Sequence, residues 1–234
     1  MSIEYFYTPP SCVTGNELRI EGDELTHLER VLRKKAGDVV HVADGAGTAY
    51  TVTLIEVRRH SARCLITDRH PGLHEPPRDV TLGVALLKNP SRYDMLVEKG
   101  TELGIKAFVP LLTERTIQGH ARSDRWRSIA LSAMKQSCRC SLPTVAEATP
   151  LAEFVRSAPA SAVRIILHEK SGGADLRLID HAAARSVILC IGPEGGFSEE
   201  EIALAVEAGF KQASVGERRL RTETAALAAS ALLL

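Results

Sequence analysis

The fold is decided by the stretch Ser186-Val-Ile-Leu-Cys-Ile-Gly-Pro-Glu-Gly-Gly-Phe-Ser-Glu-Glu-Glu-Ile202. Its apolar start, Ser186–Ile191, is typical of a strand that is buried on both faces. Gly192-Pro-Glu-Gly-Gly196 then interrupts any regular structure. Ser198 and the glutamates after it predict a helix start, because serine caps free N–H groups and carboxylates favour the positive end of the helix dipole. A buried strand that leads through a short loop into a helix is a unit of α/β domains.

Similar patterns flank this stretch on both sides. Further strands are predicted at Val80–Leu87, Ala107–Leu112, Val163–Leu167 and Ala213–Val215. Helices are predicted at about Ser91–Leu103, Asp124–Ser137 and Thr222–Leu233, and the first of them carries Met95, Leu96, Lys99 and Leu103 on adjoining turns. Because strands alternate with helices, we expect an α/β domain with a mostly parallel sheet over residues 73–234.

The first part of the chain has a different character, with short strands at close intervals. These are predicted at Glu17–Ile20, Val39–Ala43, Thr48–Val57 and Ala62–Thr67. One helix interrupts them; Asp23 is its expected cap, and its apolar stripe is Leu25, Leu28, Val31 and Leu32. The pattern predicts a small β-barrel over residues 1–72. The proline-rich segment His70-Pro-Gly-Leu-His-Glu-Pro-Pro77 is interpreted as the linker that follows it.

Composition bounds the class of protein. The chain has 234 residues with no net charge, 44% hydrophobic and 25% charged, as in ordinary globular proteins. No apolar stretch predicts a membrane span and the start does not resemble a signal peptide, so a cytoplasmic location is expected. Residues 71–142 carry a net charge of +4, which permits a basic face. Cys138 and Cys140 lack further ligands at a metal-site spacing, so free thiols and no metal are expected.

Three predicted strand ends carry unusual residues. Gly192–Gly196 follows one strand, and glycines there let a ligand approach the backbone; the alternative is a tight turn that needs glycine. Arg218-Arg-Leu-Arg-Thr-Glu-Thr-Ala225 follows another, with Thr222 as the expected N-cap, and its arginines suit an anion or a polar base edge unless they are ordinary surface charge. Leu167-His168-Glu169 ends a third strand. Because strand ends of a parallel sheet meet at one edge, these loops predict a pocket.

Two other features leave alternatives open. Arg30, Arg33 and Lys34 lie at a predicted helix end, where cations either complement the helix dipole or contact phosphates. The same two interpretations hold for Lys88, Arg92 and Arg139. The last helix is apolar almost all round and must be buried in the core or against a partner subunit.

The combination of Gly192-Pro-Glu-Gly-Gly-Phe197 with Gly216-Glu-Arg-Arg-Leu-Arg-Thr-Glu-Thr-Ala225 resembles the SPOUT superfamily of trefoil-knotted methyltransferases. The front of the chain narrows the resemblance to the RsmE family, which methylates N3 of a uracil in 16S ribosomal RNA. The matching residues there are His27-Leu-x-x-Val-Leu-Arg33, Gly37-Asp38, Asp44-Gly-x-Gly47, Lys88, Glu102-Leu-Gly104 and Pro110. Together the matches run from about residue 5 to residue 230.

The resemblance implies a fold and a chemistry. It implies a PUA-like barrel joined to an α/β domain with a deep C-terminal knot, a homodimer, S-adenosylmethionine as cofactor and the small ribosomal subunit as substrate. No membrane and no metal are implied. One departure is Lys135-Gln-Ser-Cys-Arg139, where members of the family often have Glu-Gln-Ser-Gly-Arg.

The resemblance also assigns site residues. Arg221 is expected to favour the uracil N3 anion or orient the base carbonyls. Glu194, or alternatively Glu223, is expected to accept the N3 proton, unless these glutamates only bind cofactor or cap a helix. Phosphate contacts are expected from Arg30, Arg33, Lys34, Lys88, Arg92 and Arg139. Cofactor contacts are expected from Leu167, His168, Glu169, Ile191, Gly192, Pro193, Gly195, Gly196, Val215, Gly216, Leu220, Thr222, Glu223, Thr224 and Ala225.

Two other functions fit these patterns. One is a knotted methyltransferase that acts on another RNA or on a ribose 2′-hydroxyl. The other is a non-catalytic RNA-binding factor for ribosome assembly.

Overall fold

Two β-sheets of different kinds organise the chain in our computed structural model, which describes residues 5–116, 121–168 and 174–234. The residues divide into two units. The first comprises residues 1–75 and 131–142, and the second comprises 76–130 and 143–234. Residues 131–142, which the sequence analysis assigned to the second domain, therefore group with the first unit.

The first unit is built on a six-stranded sheet in the order β1-β4-β5-β6-β3-β2. Its strands are β1 (Tyr5–Tyr7), β2 (Val13–Thr14), β3 (Glu17–Glu21), β4 (Val39–Ala43), β5 (Thr48–Val57) and β6 (Ser61–Pro71). All pairings are antiparallel except that of β1 with β4. Phe6 of β1 and Leu18 of β3 share one hydrophobic core although their strands lie near opposite ends of the sheet order, so the sheet curves around that core.

The helix of the first unit differs from its prediction. Helix α1 (Gly22–Thr26) starts at Gly22, whose φ of +62° turns the chain directly out of β3, so Asp23 lies inside the helix and does not cap it. The helix then widens into a π-helical turn, His27–Val31. The wider turn breaks the 3.6-residue period, and Val31, predicted to be buried, is 64% exposed.

The predicted linker is partly strand. His70 and Pro71 are the last residues of β6 and pair with Ala49 and Thr48 of β5. The neighbour on the other side, β3, pairs only with residues 61–65 of β6. Pro71 therefore lies where the sheet has a free edge, and there the missing N–H of proline costs no ladder hydrogen bond.

The departure at Lys135 and Cys138 has a structural basis in the first unit. The Lys135 ammonium forms a salt bridge with Glu24. Cys138 has a φ of +58°, in the left-handed region that favours glycine. The backbone thus explains why glycine suits this position, and cysteine holds it at the cost of local strain.

The second unit is built on an eight-stranded parallel sheet, as predicted. Its strands are β7 (Asp79–Ala85), β8 (Ala107–Leu112), β9 (Thr144–Val145), β10 (Thr149–Pro150), β11 (Val163–Leu167), β12 (Ala174–Asp175), β13 (Ser186–Ile191) and β14 (Lys211–Ser214). Its helices are α2 (Pro90–Leu103), α3 (Ser123–Gln136, whose end belongs to the first unit), α4 (Leu151–Ser157), α5 (Glu199–Glu207) and α6 (Thr222–Leu233). The short elements β9, β10, β12 and α4 were not predicted from the sequence.

The strand order places the chain's unusual loops side by side. The sheet runs β10-β8-β7-β13-β11-β14-β12, and β9 pairs with β8. Strands β13, β11 and β14 are adjacent and parallel, so the loops after residues 191, 167 and 214 leave the same edge. Such an edge is where open parallel sheets bind ligands.

Helices α2 and α6 add two details, and the second corrects a prediction. In α2, the buried side is formed by Tyr93, Leu96, Val97, Gly100 and Thr101, and Met95 and Leu103 are partly exposed. In α6, Arg221 has the extended backbone of a cap (φ −67°, ψ 151°), so Thr222, which was predicted to be the cap, is the first helical residue. No helix within the described ranges is long and apolar enough to cross a membrane.

Candidate active site

A cavity of about 560 Å³ opens at the carboxyl ends of β11, β13 and β14. It combines apolar walls, exposed backbone and several charged side chains. The residues that line it are Arg92, Arg115, Leu167, His168, Ile191, Gly192, Pro193, Glu194, Gly195, Gly196, Phe197, Glu199, Ala213, Ser214, Val215, Gly216, Arg218, Arg219, Leu220, Arg221, Thr222 and Ala225.

The glycine loop after β13 is folded tightly at the cavity wall. The amide of Gly196 donates to the carbonyl of Pro193 at 2.9 Å, and Gly196 has a φ of +71°. A Cβ at Gly192 would lie 3.2 Å from both the Gly196 backbone and the Phe197 ring. Ser198 then starts α5 with a capping box that it forms with Glu201. Glycine is therefore needed here to close the turn, and the turn leaves its backbone facing the cavity.

A buried hydrogen bond joins the two C-terminal segments. The Thr222 hydroxyl donates to the carbonyl of Gly192 over 3.1 Å. This bond fixes the start of α6 against the glycine loop, so the segments that are 30 residues apart in sequence form one wall. On the other side, the amide of His168 donates to the Ala213 carbonyl at 3.0 Å and holds the β11 and β14 ends together.

Arg115, which lines the cavity, holds the glycine loop through two hydrogen bonds. Its Nη1 donates to the carbonyls of Gly195 and Phe197, at 2.9 and 3.2 Å. The amide of Glu114 donates to the Glu201 carboxylate at 2.8 Å, which ties the same segment to α5. The sequence analysis missed this role of Arg115, because no local pattern distinguishes it from a surface arginine.

Arg92, on the first turn of α2, lies between two carboxylates. Its Nη1 is 3.4 Å from Oε1 of Glu194, and its Nε is 3.6 Å from Oε1 of Glu223. Glu223 is 4% exposed, and its Oε2 has no hydrogen-bond partner among the described residues. Glu194 and Arg92 line the cavity, whereas Glu223 does not.

Most of the predicted cofactor and catalytic residues meet in this cavity. Those outside its lining are Glu223, which is buried, and Thr224, which is exposed on α6. Glu169 falls outside the described residues. Of the cations predicted to contact phosphate, Arg92 lines the cavity and the exposed Lys88 does not. The lining residues that the sequence analysis left out of the site are Arg115, Phe197, Glu199, Ala213, Ser214, Arg218 and Arg219.

The remaining predicted cations belong to the first unit. Arg30 and Arg33 are exposed and Lys34 is half-buried, and none of them forms an ion pair with a described residue. Arg139 is different, since its side chain is 2% exposed and its Nη2 pairs with Glu75 at 2.7 Å. The other oxygen of Glu75 accepts from the amides of Cys140 and Ser141. Arg139 is therefore an internal structural group rather than a surface phosphate contact.

The cavity suits a drug-sized polar cofactor with an apolar part. Its volume lies within the usual range for such sites. Leu167, Ile191 and Leu220 supply apolar surface, and the glycine loop supplies backbone donors and acceptors. No group of three or more metal-ligating side chains occurs in the part of the chain that the structure describes.

Comparison with known proteins gives consistent matches. Residues 74–234 match the family described as RNA methyltransferase domain, and residues 20–67 match the RNA methyltransferase PUA domain. The chain is 36% identical to the Ribosomal RNA small subunit methyltransferase E of a Synechocystis strain, over 86% of this chain and 67% of that protein. It is 34% identical to the protein of that name from Mycobacterium bovis, over 96% and 88% of the two lengths. A solved structure of the Neisseria gonorrhoeae protein, bound to S-adenosyl methionine, superposes with a TM-score of 0.88 at 32% identity, covering 98% of this chain and 96% of that one.

Proposed function

The chain belongs to the ribosomal RNA small subunit methyltransferase E family, and we propose that it transfers a methyl group from S-adenosylmethionine to N3 of a uridine in 16S ribosomal RNA. The observation that carries the proposal is that one cavity is lined by Leu167 and His168 at the end of β11 and by the loops after β13 and β14, in a chain whose solved relative binds this methyl donor.

The cavity residues fit the cofactor. Leu167, Ile191 and Leu220 would contact its apolar surface, and the backbone of Gly192–Gly196 would contact its polar groups. When bound, S-adenosylmethionine supplies a methyl group that is already electrophilic, so the protein's contribution is binding, alignment and electrostatics. The knot implied by the resemblance stays a prediction about how the chain threads around this site.

The charged residues of the cavity suit the base. Uracil N3 is a poor nucleophile while it carries its proton, and it lies on the pairing edge, so the base must be unpaired to react. Glu194 lines the cavity and would accept the N3 proton. Arg221, at the start of α6, also lines it and would orient the base carbonyls.

The first unit supplies cations for the RNA backbone. Arg30, Arg33 and Lys34 form no ion pair with a described residue, so phosphate contact does not require breaking one. The logarithm of RNA affinity falls with the logarithm of salt concentration, and replacing all three by alanine is expected to make this slope shallower by about two to three. Gel-shift titrations at several salt concentrations measure this slope, and an unchanged slope would contradict the assignment.

A homodimer is part of the proposal. Leu178 is 79% exposed on a turn that packs against α6, and Leu232 of α6 is also exposed. Burial of these side chains in a second copy would remove apolar surface from water. The molar mass from light scattering tests the dimer. A cytoplasmic location follows from the ribosomal substrate.

Transfer to small ribosomal subunits that lack the modification tests the proposed reaction. The protein is incubated with these subunits and radiolabelled S-adenosylmethionine, and the RNA is digested to nucleosides. Label in 3-methyluridine is the expected result. Label in a 2′-O-methyl nucleoside would identify a ribose methyltransferase, and cofactor binding without transfer would favour an assembly factor.

A further inference from the structure

Glu223 is an unusual residue for its position. It is 4% exposed, it does not line the cavity, and its Oε2 has no hydrogen-bond partner among the described residues. A buried carboxylate oxygen without a partner destabilises the fold, because it loses its hydrogen bonds to water and gains none in return. The first turn of α6 offsets part of this cost through the helix dipole. The charged group that lies next to Glu223 is Arg92.

The contacts of Arg92 are long on both sides. The 3.4 Å to Glu194 and 3.6 Å to Glu223 exceed the roughly 2.7–2.9 Å of strong charge-assisted hydrogen bonds. The guanidinium is therefore held by two opposite charges without being locked to either. A guanidinium has five N–H donors, so Arg92 keeps donors for another acceptor in the cavity that it lines.

We propose that Arg92 contacts the uracil ring as N3 loses its proton, and that the buried Glu223 is the positioning residue that holds Arg92 there. The inference rests on the proposed function. The N3–H bond breaks, the proton goes to an oxygen of Glu194, and the electron pair stays on N3. The negative charge thus moves from Glu194 to the uracil ring.

Arg92 is placed to follow this movement of charge. Before the proton moves, Arg92 faces the anionic Glu194. Afterwards Glu194 is neutral and the uracil ring is the anion, so the freed donors of Arg92 turn to the ring. Glu223 keeps its contact with Arg92 throughout and prevents the guanidinium from leaving the site. The N3 electron pair would then form the bond to the methyl carbon while the bond from that carbon to the sulfonium sulfur breaks and leaves its electron pair on sulfur. S-adenosylhomocysteine would leave as a neutral thioether, and the proton would remain on Glu194 until it passes to water.

The test compares Arg92→Ala and Glu223→Gln with the full-length wild-type enzyme. At saturating RNA, we expect kcat to fall about 100-fold for Arg92→Ala and about tenfold for Glu223→Gln. KM for RNA and Kd for S-adenosylmethionine should stay within about twofold, because neither group is needed in the ground state. The double variant should be no slower than Arg92→Ala, since Glu223 acts through Arg92.

A modified substrate separates positioning from a merely structural role. Fluorine at C5 withdraws electrons from the ring, so N3 of 5-fluorouridine loses its proton more readily. On small ribosomal subunits reconstituted with 5-fluorouridine RNA, each variant should therefore regain part of the kcat that it loses relative to wild type. A variant that only loosens the fold should show the same deficit on both substrates.

Glu200→Gln is the matched control, because Glu200 also lies in the first turn of a helix but is exposed and outside the cavity. It should keep the wild-type kcat. If Glu223→Gln lowers the unfolding midpoint, Arg92→Lys decides, because lysine keeps the charge but lacks the planar fork that faces Glu194 through Nη1 and Glu223 through Nε. We expect Arg92→Lys to lose nearly as much kcat as Arg92→Ala does.

The outcomes separate the two proposals. The role of Glu223 would be overturned if Glu223→Gln kept the wild-type kcat. It would also be overturned if the loss of kcat in Glu223→Gln added to the loss in Arg92→Ala and were the same with 5-fluorouridine RNA. Absence of transfer by the wild-type enzyme would overturn the proposed function itself, and this inference with it.

Discussion

The hydrogen bond from Thr222 to Gly192 offers a direct test of how the site is built. Thr222→Val keeps the shape of the side chain and replaces the hydroxyl by a methyl group. The buried carbonyl of Gly192 then faces an apolar group, which costs about 1–3 kcal/mol. For a unit of this size, each kcal/mol lowers the melting temperature by about 2–4 °C. We therefore expect the transition of the second unit to fall by about 2–12 °C.

Differential scanning calorimetry without cofactor measures this change, and titration calorimetry then measures the affinity for S-adenosylmethionine. The affinity should fall as well, because the bond fixes the glycine loop against α6. Thr144→Val is the control, since Thr144 is exposed on β9 and the same change there removes no buried bond. A Thr222→Val protein that melts like the control and binds cofactor like wild type would refute the reasoning.

Three further predictions concern the first unit. Cys138→Gly should raise the free energy of unfolding by up to about 1 kcal/mol in urea titrations, because glycine accepts the φ of +58° without strain, and Cys138→Ala should bring no gain. Glu75→Gln should lower it by about 3–5 kcal/mol in the same titrations, because the buried Arg139 loses its counter-charge; a loss below 1 kcal/mol would contradict this. Burial lowers the pKa of His41, and the charge of the nearby His70 lowers it further. The neutral His41 ring therefore contributes stability that is present above about pH 6.5 and is lost as the pH falls through the pKa of His41 in the folded protein. An NMR titration of His41 should show a midpoint below 6.5 that rises in His70→Gln, and an unchanged midpoint there would exclude the effect of His70.

Three strands of the second sheet could be predicted residue by residue. Ala107–Leu112, Val163–Leu167 and Ser186–Ile191 have the predicted bounds, because buried strands are largely apolar. The bounds of β7 differ, since the strand was predicted at Val80–Leu87 and runs over Asp79–Ala85. The loop after β13 could also be predicted, because glycine and proline end the strand and Ser198 starts the helix. The family resemblance then supplied the cofactor, which no pattern of burial encodes.

Features that depend on distant residues could not be predicted. Pro71 fits inside β6 only because β3 ends earlier and leaves a free edge. The π-helical turn turns Val31 outward against its helical spacing. Thr222 was a reasonable helix cap by local rules, but the extended residue before the helix is Arg221, and the Thr222 hydroxyl donates to the carbonyl of Gly192.

The same limit applies to the charges of the site. Arg139 and Arg92 look alike in sequence, as arginines in the more basic part of the chain. The structure buries Arg139 against Glu75 and places Arg92 between Glu194 and Glu223. Each of these acidic partners is remote in sequence, so only the folded chain distinguishes a structural arginine from one that faces the cavity.

A crystal structure of the protein with S-adenosylmethionine tests the central claim most directly. The account predicts that the donor lies in the cavity between Leu167, the Gly192–Gly196 loop and the Leu220–Ala225 segment, with its methyl group toward Glu194 and Arg92. A donor bound elsewhere, or one whose methyl group points away from these side chains, would contradict it.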